Sequence, residues 1–247
     1  MIKQRFFLKQ QHTVDLALLE TWYEQLMPIN EFSWGVFEFT REMLRNKVSE
    51  EEKNEIIEEA ILCGRTWAQK MLDQFDLKKQ EKADRAWYLV NKLGLSITER
   101  SGKPTKFRMV FAQFIMERSI ELITEPIAAY TELTQSSEIL PKPEVIRGVL
   151  IAHEIFHYLE EQHGATMYHI TKTIPLWRFF SYEHRSTVGC ASEIAAMAFA
   201  KELCETDFVP QMLDILLSYP LEVDFSKSIY EVVQQEMRHI EANGLVL

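Results

Sequence analysis

Cysteine is scarce in this chain of 247 residues, which holds only Cys63, Cys190 and Cys204. Their odd number and the lack of a C-x-x-C spacing argue against a disulfide framework and against a zinc knuckle. Thiols without such a pattern are typical of the reducing cytoplasm. We therefore expect reduced cysteines and a cytoplasmic protein.

Long apolar runs and basic runs are also missing. The N-terminal apolar stretch is only Phe6-Phe7-Leu8, which is too short for the core of a signal peptide. No run reaches the about 18–20 apolar residues that span a bilayer. Acidic residues outnumber basic ones by 37 to 27, which gives a formal net charge of -10. Because phosphate contacts need clustered Lys and Arg, we expect neither nucleic acid nor a membrane as a partner.

Helical patterns dominate the first 80 residues. Ser49 followed by three glutamates predicts a helix start, because acidic side chains favour the positive N-terminal end of a helix. A shorter helix is predicted for 81–93, ended by Gly94. We predict an N-terminal helical region over 1–80 and a main domain over 81–247.

Short alternating segments follow, and they predict three strands, at 95–98, 108–116 and 119–124. The pair Glu125-Pro126 is expected to close the third strand. Four more helices are predicted, at 144–162, 187–204, 208–218 and 226–242. Gly164 is expected to end the first of these four in a left-handed conformation. The predicted fold class is α+β, predominantly helical with a small three-stranded sheet.

The segment His153-Glu-Ile-Phe-His157 is an H-E-x-x-H motif inside a predicted helix. Residues four apart on a helix lie on one face, so both imidazoles can bind the same Zn²⁺. Glu154 lies beside that position, where it can deprotonate a zinc-bound water as a general base. The motif therefore predicts one zinc ion per chain.

A zinc site with one position open for water needs a third protein ligand. His163 stands where a third histidine follows the longer pattern H-E-x-x-H-x-x-G-x-x-H, but Glu160 replaces its glycine. A continuous helix would turn His163 about 120° away from the second motif histidine. Glu193 lies in an apolar predicted helix, where an unpaired carboxylate is costly. We favour Glu193 as the ligand, with a surface pairing to Arg185 or Lys201 as the alternative.

These segments together resemble the ImmA/IrrE-type group of bacterial H-E-x-x-H metallopeptidases, within the wider gluzincin class. The resemblance covers roughly Trp87 to Leu203. Its parts are a helix end at Lys92-Leu-Gly-Leu95, strand-like segments, Ile151-Ala-His-Glu-Ile-Phe-His-Tyr-Leu159, and a Glu-x-x-Ala-x-x-Phe-Ala pattern from Glu193 to Ala200.

The resemblance implies a zincin-like fold and hydrolysis of peptide bonds in a peptide or protein substrate. It implies His153, His157 and Glu193 as the zinc ligands and Glu154 as the general base. Gluzincins of the thermolysin type often carry an acidic residue four positions after the ligand glutamate. Met197 stands there in this chain, so the resemblance does not identify the residue that would orient the zinc ligands.

A peptide-cleaving site also needs a group that stabilises the oxyanion. Five candidates lie between the two ligand-bearing helices: Tyr168, His169, Tyr182, His184 and Arg185. We favour His184 and Tyr182 as the catalytic helpers.

Two other readings compete with the peptidase. A ferritin-like di-iron bundle would use two E-x-x-H pairs and two further carboxylates, namely Glu154/His157, Glu236/His239, Glu117 and Glu193. This reading leaves the first histidine of the motif without a role. The other is a non-catalytic interaction protein with a structural metal, although such sites are usually closed by four protein ligands.

Overall fold

The computed structural model describes residues 14–102, 110–115, 118–180 and 182–242. Within these ranges the protein is predominantly helical with a small mixed sheet, which confirms the α+β class. The helices are α1 (Leu16–Leu26), α2 (Glu31–Thr40), α3 (Glu50–Gln74), α4 (Arg85–Leu93), α5 (Thr124–Leu133), α6 (Pro143–His163), α7 (Tyr168–Thr171), α8 (Gly189–Cys204), α9 (Leu213–Ser218) and α10 (Val223–Ala242). The strands are β1 (Ser96–Arg100), β2 (Ala112–Ile115), β3 (Ser119–Ile123), β4 (Ile174–Phe179) and β5 (Tyr182–Ser186).

The three-stranded sheet has the order β1-β3-β2, so β2 is an edge strand. β1 runs parallel to β3, and β2 runs antiparallel to it. Ile120 and Leu122 of β3 are fully buried, and both β2 and β3 pack on α6. This packing holds the edge strand beside the helix that carries the H-E-x-x-H motif.

Local sequence signals were correct at two helix ends. The Ser49 hydroxyl accepts a hydrogen bond from the Glu52 N–H, which caps the start of α3. Gly94 ends α4 with a φ of 65°, the left-handed conformation that glycine adopts without strain.

Other local predictions were wrong. Gly164 is right-handed, with φ -52° and ψ -32°, and continues α6 into a 3₁₀ turn over Gly164–Thr166. The third strand does end just before Glu125-Pro126, at Ile123, but this pair lies in the first turn of a helix, α5, that the sequence analysis did not predict. Proline is well tolerated there, because the first helical N–H groups have no partner within the helix.

The predictions for one strand, one helix start and one hairpin also need correction. The strand predicted for 108–116 covers only Ala112–Ile115, and parts of that prediction lie outside the described residues. The helix expected from residue 81 begins with a 3₁₀ turn at Lys82–Asp84. The antiparallel hairpin of β4 and β5 was not predicted from the sequence. Its strands carry exposed and charged residues, so they lack a clear alternation of apolar and polar positions.

Helix α8 packs against both α3 and α6, the sheet packs on α6, and the buried apolar core extends over all of these elements. Phe156 of α6 and Phe199 of α8 are fully buried, with their rings 5.5 Å apart. One buried apolar cluster includes residues on both sides of the predicted boundary, such as Leu72 and Ile155. The division into 1–80 and 81–247 stays a prediction.

Among the described helices, none combines the length and the apolar character needed to cross a bilayer.

Candidate metal centre

Helix α6 brings the two motif histidines onto one face. The Nε2 atoms of His153 and His157 lie 3.1 Å apart. Other positions of the same helix, Ala152, Ile155 and Phe156, are fully buried and fix it in the core. The position of both imidazoles is therefore set by the packing of an apolar helix.

Glu193 of α8 completes the cluster. Its Oε2 lies 3.4 Å from His153 Nε2, and its Oε1 lies 3.9 Å from His157 Nε2. The basic residues considered as surface partners bind elsewhere: Arg185 pairs with Glu183, and Lys201 with Glu31. Within the described ranges, His153, His157 and Glu193 form the one group of His, Cys, Asp or Glu side chains arranged to hold a metal.

The spacing of these donor atoms fits a small tetrahedral cation. Zinc bound at about 2.0–2.1 Å in a tetrahedron separates its ligand atoms by about 3.3 Å. The observed separations are 3.1, 3.4 and 3.9 Å. Two imidazoles and one carboxylate are a donor set that zinc accepts, with a fourth position left open.

The charges of the cluster are complementary. Burial lowers the pKa of His153, but its hydrogen bond to Glu193 and the nearby carboxylates outweigh burial and raise it to about 9. Burial raises the pKa of Glu193, but the hydrogen bond and charge of His153 lower it to about 2. At neutral pH without a metal, Glu193 is therefore ionised and His153 is protonated, so metal binding would require His153 to release its proton.

Glu154 projects from α6 towards the edge strand. Only 6% of the residue is exposed, and its Oε2 accepts a hydrogen bond of 2.6 Å from the Phe114 N–H of β2. This bond fixes the carboxylate, which lines the same cleft as the histidine pair, and ties the helix to the sheet.

The cluster opens into a cleft of about 360 Å³. Its walls include β2 from Ala112 to Phe114, the motif residues of α6, Met197 of α8, and Leu213 and Asp214 of α9. The cleft therefore combines apolar walls with a small number of converging polar groups, as ligand sites usually do.

Glu160 is a functional candidate that the sequence analysis did not identify. Its Oε2 lies 2.6 Å from Nδ1 of His157, and its Oε1 contacts the His169 ring. Ser192 Oγ donates a hydrogen bond of 2.6 Å to the same Oε1. Burial raises the pKa of Glu160, but these partners outweigh it and lower the pKa to about 2. The i, i+3 spacing from His157 was the signal in the sequence.

The structure separates His163 from the cluster. Its exposed ring stacks on Trp67, with the ring centroids 5.1 Å apart. A continuous α6 produces this result, because no glycine turns the chain back after His157.

The predicted oxyanion helpers lie on the β4–β5 hairpin. The His184 ring packs on Trp177 at 5.4 Å, and His184 is not among the described residues that line the cleft. Tyr182 begins β5, where only its backbone is described. His169 and Arg185 are engaged with Glu160 and Glu183 respectively. The helper role stays a prediction.

The second E-x-x-H pair of the di-iron reading does not join the cluster in the described residues. Glu236 and His239 lie on α10, outside the metal-binding group found among the described residues. Glu117 lies outside the described residues.

Nothing matched this chain in comparisons with protein-family models, with curated proteins and with solved structures. The resemblance to the ImmA/IrrE-type group therefore stays a prediction based on the motifs.

Proposed function

We propose that this protein is a zinc-dependent peptidase with a zincin-like fold, and that it hydrolyses peptide bonds in the cleft above α6. One observation carries the proposal: two imidazole Nε2 atoms and the Glu193 carboxylate converge in an open cleft that the buried Glu154 also lines. A structural metal would be closed by a fourth protein ligand, and the described part of the cluster has three.

His153, His157 and Glu193 would hold the zinc ion. The ion would supply Lewis acidity towards a water molecule and towards the carbonyl of the scissile bond. Glu154 then has the role of general base. It accepts the proton of the attacking water on its carboxylate and returns that proton to the leaving amine.

The edge strand supports a peptide as the substrate. The Phe111 carbonyl accepts a hydrogen bond from the Ile123 N–H, so Phe111 faces β3. Antiparallel strands alternate the direction of their peptide groups, so Ala112 and Phe114 direct theirs to the opposite side. Phe114 donates to Glu154 there. Apart from the Phe114 N–H, which Glu154 already accepts, this side of the strand is where an extended substrate could add as a further strand, the pairing known as β-augmentation.

The first test measures the metal content of the protein and then its turnover when the proposed general base is replaced. Purified protein should hold one zinc ion per chain by elemental analysis. Glu154→Gln keeps the shape of the side chain but cannot accept the proton, so we expect full zinc content and a loss of turnover of about 10²-fold or more on a peptide library. Glu161→Gln, an exposed change on the same helix, is the matched control and should keep both properties.

A chain that binds no zinc after supplementation, or that binds two irons, would contradict the proposal. Equal turnover by wild type and Glu154→Gln would rule out the general-base role.

The third ligand is tested separately by chelator competition. Glu193→Ala should weaken zinc binding strongly, because it removes a donor atom. His163→Ala should change zinc binding little, because its ring stacks on Trp67 outside the cluster. The reverse order would assign the site to the three-histidine class.

A further inference from the structure

His157 receives a specific support from its own helix. Glu160 follows it by three residues on α6, with only 12% of its side chain exposed. The bond between Glu160 Oε2 and Nδ1 of His157 is 2.6 Å long. A carboxylate can only accept, so Nδ1 carries the hydrogen and the Nε2 lone pair is left free. That Nε2 is the atom that faces His153 and Glu193.

Glu160 is itself held by two other elements. Ser192 of α8 donates to its Oε1, and His169 of α7 lies against the same oxygen. A buried carboxylate is costly without such partners, and here the partners come from three helices. Ser192 also precedes Glu193 in the chain, so one turn of α8 supplies both a ligand and a contact to Glu160.

The other imidazole lacks an equivalent support among the described residues. Nδ1 of His153 is buried and has no hydrogen-bond partner there. The two histidines are therefore held differently, and of the pair only His157 is contacted by Glu160 through its Nδ1.

We propose that Glu160 is a positioning residue, which fixes the tautomer and ring orientation of His157 so that Nε2 faces the metal, with Ser192 and His169 holding Glu160 in place. The inference rests on the proposed function for the metal itself. Carboxylates that orient a metal-bound histidine typically contribute 10- to 100-fold to metal affinity.

The first experiment measures zinc affinity by chelator competition in wild type, Glu160→Ala, Glu160→Gln and Ser192→Ala. We expect Glu160→Ala to weaken zinc binding by about 10- to 100-fold. Glu160→Gln keeps the size and one acceptor oxygen, so its loss should be smaller. Ser192→Ala should also lose less, because His169 still contacts Glu160. Glu161→Gln is the matched control and should bind zinc as wild type does.

The second experiment needs no metal. Long-range ¹H–¹⁵N NMR of the zinc-free protein at about pH 8, assigned with His157→Ala, reports which ring nitrogen carries the hydrogen. Wild type should show the Nδ1–H tautomer for His157, and Glu160→Ala should show a mixture. A merely structural role for Glu160 would change the unfolding temperature but not this tautomer.

The outcomes separate the two ideas. A wild type that binds no zinc contradicts the proposed function, while the tautomer still tests the positioning of His157. A wild type that binds zinc, together with unchanged affinity and an unchanged tautomer in folded Glu160→Gln and Glu160→Ala, overturns the positioning role and leaves the peptidase proposal standing.

Discussion

Helices α3 and α8 approach each other closely at Gly64, and Gly64→Ala tests that approach. A Cβ added at Gly64 would lie 2.1 Å from the Ala195 carbonyl oxygen and 2.9 Å from the Phe199 nitrogen. Both are backbone atoms, which cannot rotate aside as a side chain can. The two helices would have to separate by roughly 1 Å to restore an ordinary contact.

The expected change in the free energy of unfolding follows from two opposing effects. Overpacking a well-packed core costs about 1–3 kcal/mol, and rigid neighbours on both sides favour the upper end. Alanine offsets about 1 kcal/mol of this cost, because its helix propensity exceeds that of glycine. We expect a net loss of about 2 kcal/mol in the free energy of unfolding. For a domain of this size, that loss lowers the unfolding temperature by about 4–8 °C.

The assay is thermal unfolding followed by circular dichroism, with zinc affinity measured in parallel. Because Ala195 lies two residues after Glu193, a displaced α8 would also weaken zinc binding. Gly164→Ala is the matched control: its nearest neighbours are 3.5 Å away on the Ile170 side chain, and its backbone is right-handed. That variant should unfold at the wild-type temperature or slightly above it. A Gly64→Ala protein as stable as wild type would refute the close approach of the two helices.

Two further predictions concern titratable groups. Burial raises the pKa of Glu38 to about 7, with Arg41 partly opposing it. An acid whose pKa rises on folding makes the protein less stable as the pH increases from about 4.5, the pKa in the unfolded chain, to about 7. We therefore expect the free energy of unfolding of Glu38→Gln, measured in urea without zinc, to rise relative to wild type by up to about 3 kcal/mol between pH 4.5 and pH 8. A difference between the two proteins that does not change with pH would contradict this. Burial also raises the pKa of the Cys190 thiol, and that of Cys204 to about 12, whereas Cys63 is half-buried. A disulfide-exchange reagent should thus label one thiol, that of Cys63, quickly in the folded chain and all three thiols in denaturant. Fast labelling of a folded Cys63→Ser variant would contradict the burial pattern.

Local signals in the sequence identified several elements correctly. The Ser49 cap, the left-handed Gly94 and the long helices depend on residues within one or two turns of each other, so the sequence carries their physical cause directly. The failure at Gly164 shows the limit of such signals. A glycine after a helix permits the left-handed conformation but does not require it, and α6 continues through a 3₁₀ turn instead.

The candidate site divides in the same way. The sequence alone placed His153, Glu154 and His157 together, because the helical repeat brings residues i and i+4 onto one face. It also selected Glu193 over His163 as the expected third ligand, from the cost of a carboxylate in an apolar helix. Whether Glu193 reaches the histidines depended on how α8 packs against α6, and no local rule contains that distance.

Tertiary structure alone decided the remaining contacts. The approach of α3 to α8 at Gly64, the bond from Phe114 to Glu154, and the contacts of Glu160 with Ser192 and His169 join residues that are far apart in the chain. Local backbone preferences fix which helices form, whereas the distances between their side chains come from close packing of the whole core.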